Sequence, residues 1–316
     1  SAKPSRGGGG SGGGGHGGGM PYPTASTVSQ LIADINYANQ VGGSVTINLA
    51  PGATFTVTSA NNSTDGGNGF PVIGGPIALN LTITGNGDAI ERIQVNGGLA
   101  FRFFDVAKGS SLTLNNVKLK KGGIGAIINY GTVNVINSSV ITGSSNVAII
   151  NYGGTVTIAG STLSDNLSGG YGGAIYNNFG TVTINGSVLS SNSALSGGGI
   201  YNDGGTVTIG SSTLSGNAAY RDDNEGHGGG IYNAGGTVTI FHSNLSNNSA
   251  DPNFGSGGGI YNDVNGDVIV GGSSSIIGNT ASDSSGDVSN AGELFLDSTS
   301  TIGILSGNPA IPFEMP

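Results

Sequence analysis

Apolar and hydroxyl side chains alternate in one phrase that returns along this chain. Gly-Thr-Val-Thr-Ile stands at Gly154 to Ile158, Gly180 to Ile184, Gly205 to Ile209 and Gly236 to Ile240. Within each copy Val and Ile alternate with Thr, which puts the apolar pair on one face of a strand and hydroxyls on the other. Degenerate copies centre on Leu81, Leu112, Val133, Val268 and Leu294, so the first apolar position recurs at spacings of 31, 21, 23, 26, 25, 31, 30 and 26 residues. A period of about 20 to 50 residues marks a solenoid or array, in which each repeat buries its apolar face against its neighbours.

Ahead of the repeats the period changes. Val28, Leu31, Ile32, Ile35 and Ala38 fall at i, i+3, i+4, i+7 and i+10, with Ser26 or Thr27 as N-cap and Gly42 beyond the end. This predicts a short amphipathic helix within residues 24–42 that acts as a lid, because the first coil of a solenoid otherwise exposes its interior and its strand edges. The coils start at Val45 and Ile47, then Phe55 and Val57, and run to Leu294 and Leu296. Spacings of this size fit three short strands and three corners per turn. They are not multiples of six, which argues against left-handed hexapeptide coils. Crossovers between parallel strands are right-handed in about 98% of cases. The expected fold is therefore all-β, a right-handed parallel β-helix of about ten coils over residues 43–300, a rod near 50 Å long at roughly 4.8 Å per coil. Residues 1–23 read as a Gly-rich tail and 301–316 as a C-terminal segment with no helix to match the lid.

Composition narrows the function classes. The chain of 316 residues has 63 Gly, no Cys and no Trp, and its 18 acidic against 9 basic residues give a net charge of −9. That balance disfavours nucleic acid and anionic membrane as partners. Without Cys there are no disulfides and no thiolate metal sites, and no cofactor is expected. No run of 18 apolar residues occurs, so no membrane-spanning helix is expected. A chain that opens at Ser1 fits a processed secreted protein as well as a trimmed one.

Two further motifs recur. Leu-x-x-Asn ends at Asn166, Asn192, Asn217 and Asn248, with Ile276 to Asn279 as a variant. Gly-Gly-Ala-Ile-Tyr-Asn spans Gly172 to Asn177, and Gly-Gly-Gly-Ile-Tyr-Asn spans Gly197 to Asn202, Gly228 to Asn233 and Gly257 to Asn262. Paired in this way, they resemble the repeats of polymorphic outer-membrane proteins and related bacterial β-helix surface proteins over about residues 80–300. The resemblance implies an extracellular, secreted or surface-attached protein that often acts as an adhesin, and it supplies no catalytic residues. The Asn-ended motif departs from the family in carrying Leu where Phe is usual.

Each stacked position has its own chemistry. Asn177, Asn202, Asn233 and Asn262 are expected to form a structural ladder at one corner, their amides bonded to one another and to turn backbone. Tyr176, Tyr201, Tyr232 and Tyr261 are expected to form an outward stripe, either an aromatic ladder that rigidifies the wall or a sugar-stacking or protein-docking surface. Thr155 and Thr157 with their equivalents make two outward columns, a pattern like the ice-binding face of β-solenoid antifreeze proteins, although Thr also suits any outward strand position. Asp222, Asp223, Glu225 and Asp251 fall in neighbouring insertions and form a weak candidate cation or acid site without a matching calcium-loop motif. A polysaccharide-degrading activity would need such acids, and after Lys121 the one Lys or Arg is Arg221, which argues against an acidic polysaccharide.

The tail completes the expectation. Gly7, Gly8, Gly9, Gly10, Gly12, Gly13, Gly14, Gly15, Gly17, Gly18 and Gly19 lack side chains that would block close backbone approach, which suits an added strand on a neighbouring subunit. A donor tail with an uncapped last coil describes a head-to-tail homopolymer. The leading expectation is thus a non-enzymatic extracellular structural protein that assembles with itself. The alternative is an adhesin or carbohydrate-binding β-helix that engages a glycan or a cell-surface receptor.

Overall fold

In the computed structural model, which describes residues 24–220, 226–282 and 284–314, the alternating phrases become the rungs of a parallel β-helix. One wall pairs Thr155–Ala159, Thr181–Asn185, Thr206–Gly210 and Thr237–Phe241 in register, so Val156, Val182, Val207 and Val238 make one fully buried column. A second wall stacks the Leu-x-x-Asn strands Thr162–Ser164, Val188–Ser190, Thr213–Ser215 and Asn244–Ser246. The third holds the Ile-Tyr-Asn phrases among nine described strands from Phe104–Val106 to Leu305–Gly307. The paired strands of the three walls are parallel among the described residues, and their apolar residues face one continuous core.

The lid forms as its periodicity dictates. Helix α1 spans Val28–Val41, and Thr27 caps it by accepting from the Gln30 N–H at 3.2 Å. Gln30 returns the contact, its Oε1 accepting from the Ser26 N–H and hydroxyl at 2.8 Å each, a reciprocal cap on otherwise orphaned donors. Leu31, Ile35 and Ala38 are fully buried over the first coil. Asn39 then pins a loop to the helix, donating to the Val72 carbonyl and accepting from the Gly74 N–H, both at 2.8 Å.

The solenoid runs past residue 300. Thr301–Ile302 pairs with Ser275–Ile276, Leu305–Gly307 with Val288–Asn290, and Ile311–Phe313 with Glu293–Asp297. Gly303, Pro309 and Pro312 dilute the alternation there, which hides this rung from a pattern reading. Pro312 is tolerated because an edge strand leaves one set of N–H groups outside the ladder.

Two buried amide ladders tie the coils together. In the first, Asn129, Asn151, Asn177, Asn202, Asn233, Asn262 and Asn290 follow one another. Each Nδ2 donates to the next Oδ1, at 2.7 Å in the first step and 2.8 Å in the rest. From Asn129 to Asn262 the second hydrogen of Nδ2 serves the carbonyl of the glycine that opens the following strand, at 3.0 Å for Asn177 to Gly180 and 2.9 Å for Asn202 to Gly205, while Asn290 donates to the Asn308 carbonyl at 3.0 Å. Both donors of a fully buried amide are therefore satisfied. The ladder also explains the recurring first residue of Gly-Thr-Val-Thr-Ile within this chain: a Cβ at Gly180 would land on Nδ2 of Asn151, one rung earlier. The second ladder runs Asn166, Asn192, Asn217, Asn248 and Asn279 with steps of 2.9, 3.0, 2.9 and 2.9 Å.

Candidate functional site

The Ile-Tyr-Asn strands point Ile and Asn inward, which leaves Tyr176, Tyr201, Tyr232 and Tyr261 on the outer face, aligned in register. Rungs near 4.8 Å apart suit ring stacking. The centroids of Tyr201 and Tyr232 lie 4.7 Å apart, and those of Tyr232 and Tyr261 4.8 Å apart, with Tyr176 to Tyr201 at 5.8 Å. His227 adds a further ring to the column, 4.6 Å from Tyr261 and 6.4 Å from Tyr232, its Nδ1 accepting from the Ser256 N–H at 3.0 Å. These rings are half-buried, and their faces are spent on one another.

Hydrogen bonds and burial fix the column further. The Tyr176 hydroxyl donates to Asp203 Oδ2 at 2.9 Å, and Asn178 Nδ2 donates to the same oxygen at 2.8 Å. Burial first, and the adjoining carboxylate second, push the Tyr176 phenol up to about 12. Burial raises the Tyr201 phenol as well, reinforced by the neighbouring tyrosines. In this part of the face the stripe is a rigid aromatic ladder.

The stack breaks where the sequence singled nothing out. Tyr130 and Tyr152 stack at 5.6 Å, but Tyr152 meets Tyr176 edge-on, at 79° and 6.2 Å. That turn frees ring surface, and Tyr152 is 40% exposed. Tyr171 lies on Tyr201 at 4.6 Å with its outer side open, 42% exposed. Between them sits a cleft of about 250 Å3, lined by Tyr152, Tyr171, Tyr176, Ile150, Asn146 and Ser168. Across Tyr152 lies a larger cavity of about 500 Å3, lined by Tyr130, Tyr152, Val72, Asp65, Asp105 and Lys108. The two hollows lie on either side of Tyr152, which lines both.

The larger cavity carries unusual electrostatics. Asp105, on the strand Phe104–Val106, is only 2% exposed, and its Oδ2 has no hydrogen-bond partner among the described residues. Burial, then the charge of Asp65, push its carboxyl up to about 6, against a smaller opposing pull from Arg102. Arg102 is turned toward the loop instead, donating to the Asp65 carbonyl at 3.0 Å and to Asn68 Oδ1 at 3.5 Å.

The other sequence candidates fall elsewhere. Thr155, Thr181, Thr206 and Thr237 align in one column and Thr157, Thr183, Thr208 and Thr239 in another; the next rung breaks both with Asp267 and Ile269. Asp251 is turned into its own loop, where Oδ1 accepts from the Asn253 and Phe254 N–H groups at 2.8 and 3.1 Å. Asp222, Asp223, Glu225 and the glycines of the tail lie outside the described residues. No group of three His, Cys, Asp or Glu able to hold a metal occurs among the described residues, and no described helix is long and apolar enough to cross a membrane. No family model, curated protein or solved structure matches the chain.

Proposed function

We propose that the chain is a non-enzymatic glycan-binding β-helix of the cell surface or extracellular matrix. The observation that carries this reading is the paired hollow around Tyr152, with Tyr130 and Tyr171 on its flanks. A pyranose presents an apolar C–H face and a rim of hydroxyls. Exposed tyrosine rings suit the first, and Asn146 and Asp65 at the margins suit the second. The rigid ladder of Tyr176, Tyr201 and Tyr232 holds the wall behind these rings, so little ordering entropy is lost on binding. A glycan array probed with the intact chain and with Tyr152→Ala/Tyr171→Ala tests it: binding by the first and not by the second is expected, and equal profiles would overturn it.

Self-association is a second reading, favoured by the last described coil. Its strands pair on one side only among the described residues, and Ile304, Leu305 and Ile311 are exposed on it. The opposite end is covered by α1, so a contact of this edge would join unlike surfaces and favour open filaments. Sedimentation at rising concentration should show oligomers that Ile311→Lys abolishes, and a monomer throughout would remove this reading.

A further inference from the structure

The geometry points to the larger cavity as a subsite for a protonated amino group, carried on the sugar ring that packs against Tyr130 and Tyr152. It rests on the glycan reading for the ring, whereas the ammonium follows from the charges alone.

Every titratable or charged side chain facing Asp105 bears on this assignment. Asp65 adds negative charge from the loop over the cavity, and its effect on Asp105 exceeds the opposing effect of Arg102. Arg102 spends its two terminal nitrogens on the Asp65 carbonyl and Asn68, and its buried Nε makes no bond to Asp105 or to any other group among the described residues. Lys108 lines the rim on an exposed side chain, free to be displaced by a ligand, and the phenols of Tyr130 and Tyr152 complete the wall. No cation makes direct contact with the buried Oδ2 of Asp105, which accepts from no group among the described residues. Buried acceptors are nearly always paired, so an orphan at a cavity wall marks a place for a donor.

Three donor classes can be weighed. A water or a sugar hydroxyl donates one hydrogen bond and leaves the two carboxylates repelling one another. A metal ion needs several oxygen ligands in a tight shell, and Asp65 sits on an exposed loop with no third carboxylate beside it among the described lining residues. An ammonium supplies three donors and a full charge, relieves the repulsion between Asp65 and Asp105, and is attracted to the tyrosine faces. An amino sugar without N-acetyl groups combines that charge with a ring of the right size for the hollow. Acetylation would remove the charge and add bulk at the buried end.

The test is calorimetric titration of the full chain near pH 6.5 with three matched β-1,4-linked oligosaccharides: deacetylated glucosamine, N-acetylglucosamine and glucose oligomers, plus ethanolamine as a bare ammonium. We expect the deacetylated oligomer to bind and the other two sugars to bind at least tenfold more weakly. Asp105→Asn, nearly isosteric, should cost roughly 10- to 100-fold, the range of a hydrogen bond to a charged partner. Asp65→Asn, on an exposed loop and neutral for folding, should weaken binding less, and Lys108→Ala should not weaken it. If all three sugars bind alike and Asp105→Asn changes nothing, the ammonium subsite falls and the glycan reading stands. If ethanolamine binds through Asp105 and no sugar improves on it, the subsite stands and the glycan reading falls. No binding by any probe overturns both.

Discussion

Asn279 Nδ2 donates to Asp287 Oδ1 at 2.9 Å, so the second amide ladder ends on a carboxylate. Each amide in that ladder sends one Nδ2 hydrogen forward to the next side-chain oxygen and the other back to a carbonyl of the preceding coil, so the last amide still needs a side-chain acceptor ahead of it. Asp287 supplies it. It also uses both oxygens as acceptors, Oδ1 for the Asn279 backbone N–H at 2.9 Å and Oδ2 for the Ile304 N–H at 2.8 Å. An asparagine has one acceptor oxygen and cannot replace it. Asp287→Asn should therefore destabilise the last coils by about 1–3 kcal/mol, the cost of an unmatched buried polar group, read as lost amide-exchange protection for residues 288–313.

Interrupting the first ladder should cost more in the middle than at its end. Asn202→Ala leaves a donor of Asn177 and an acceptor of Asn233 unpaired in a dry interior. A loss of about 2–4 kcal/mol is expected from two orphaned groups and a small cavity, measured as a lower urea midpoint. Thr208→Ala, on the outer face of the adjoining wall, should change it by less than about 0.5 kcal/mol.

Glycine at the start of each repeat is a packing requirement. Gly180→Ala would drive its methyl group into the Asn151 amide, whereas Gly169 has open space around it. Differential scanning calorimetry should show a clear fall in Tm for Gly180→Ala and almost none for Gly169→Ala.

The buried carboxyl of Asp105 makes stability depend on pH in a definite direction. Its folded value, about 6, lies above the ordinary 3.8, so the folded chain holds an extra proton between those limits. Its contribution is most favourable below that window and is lost as pH rises through about 6, by roughly 1–3 kcal/mol. The difference between wild type and Asp105→Asn in urea unfolding should follow that curve. At neutral pH the variant should be the more stable of the two.

The regular part of the molecule was legible because one physical rule repeats in it. Alternating Val, Ile and Thr fixed the inward and outward faces, and the Asn of Ile-Tyr-Asn revealed a ladder from its one-per-coil recurrence. The repeated phrase marks the rungs from Asn177 to Asn262, whereas the ladder starts at Asn129 and continues to Asn290. The aromatic site was harder to see. A tyrosine in register stacks on its neighbours and hides its face, so the regular Tyr positions rigidify the wall and the irregular ones are open. Tyr130 and Tyr152 did leave a signal in Ile-Asn-Tyr-Gly, present at Ile128 to Gly131 and Ile150 to Gly153. Asp65 and Asp105 left none, because they come from the Phe-rich early coils, where insertions such as Asn61 to Phe70 break the period. The last rung was hidden by its glycine and prolines.

Two double variants, compared on the same glycan, separate the open rings from the stacked ones as the binding face. Tyr152→Ala/Tyr171→Ala removes the open rings, and Tyr201→Ala/Tyr232→Ala removes the stacked ones. If the hollows around Tyr152 are the binding face, the first pair loses binding with its melting temperature nearly unchanged. The second pair lowers the melting temperature and keeps most of the affinity. Loss of binding confined to the Tyr201/Tyr232 pair, with the Tyr152/Tyr171 pair binding as wild type, would place the glycan on the stacked column and not at Tyr152.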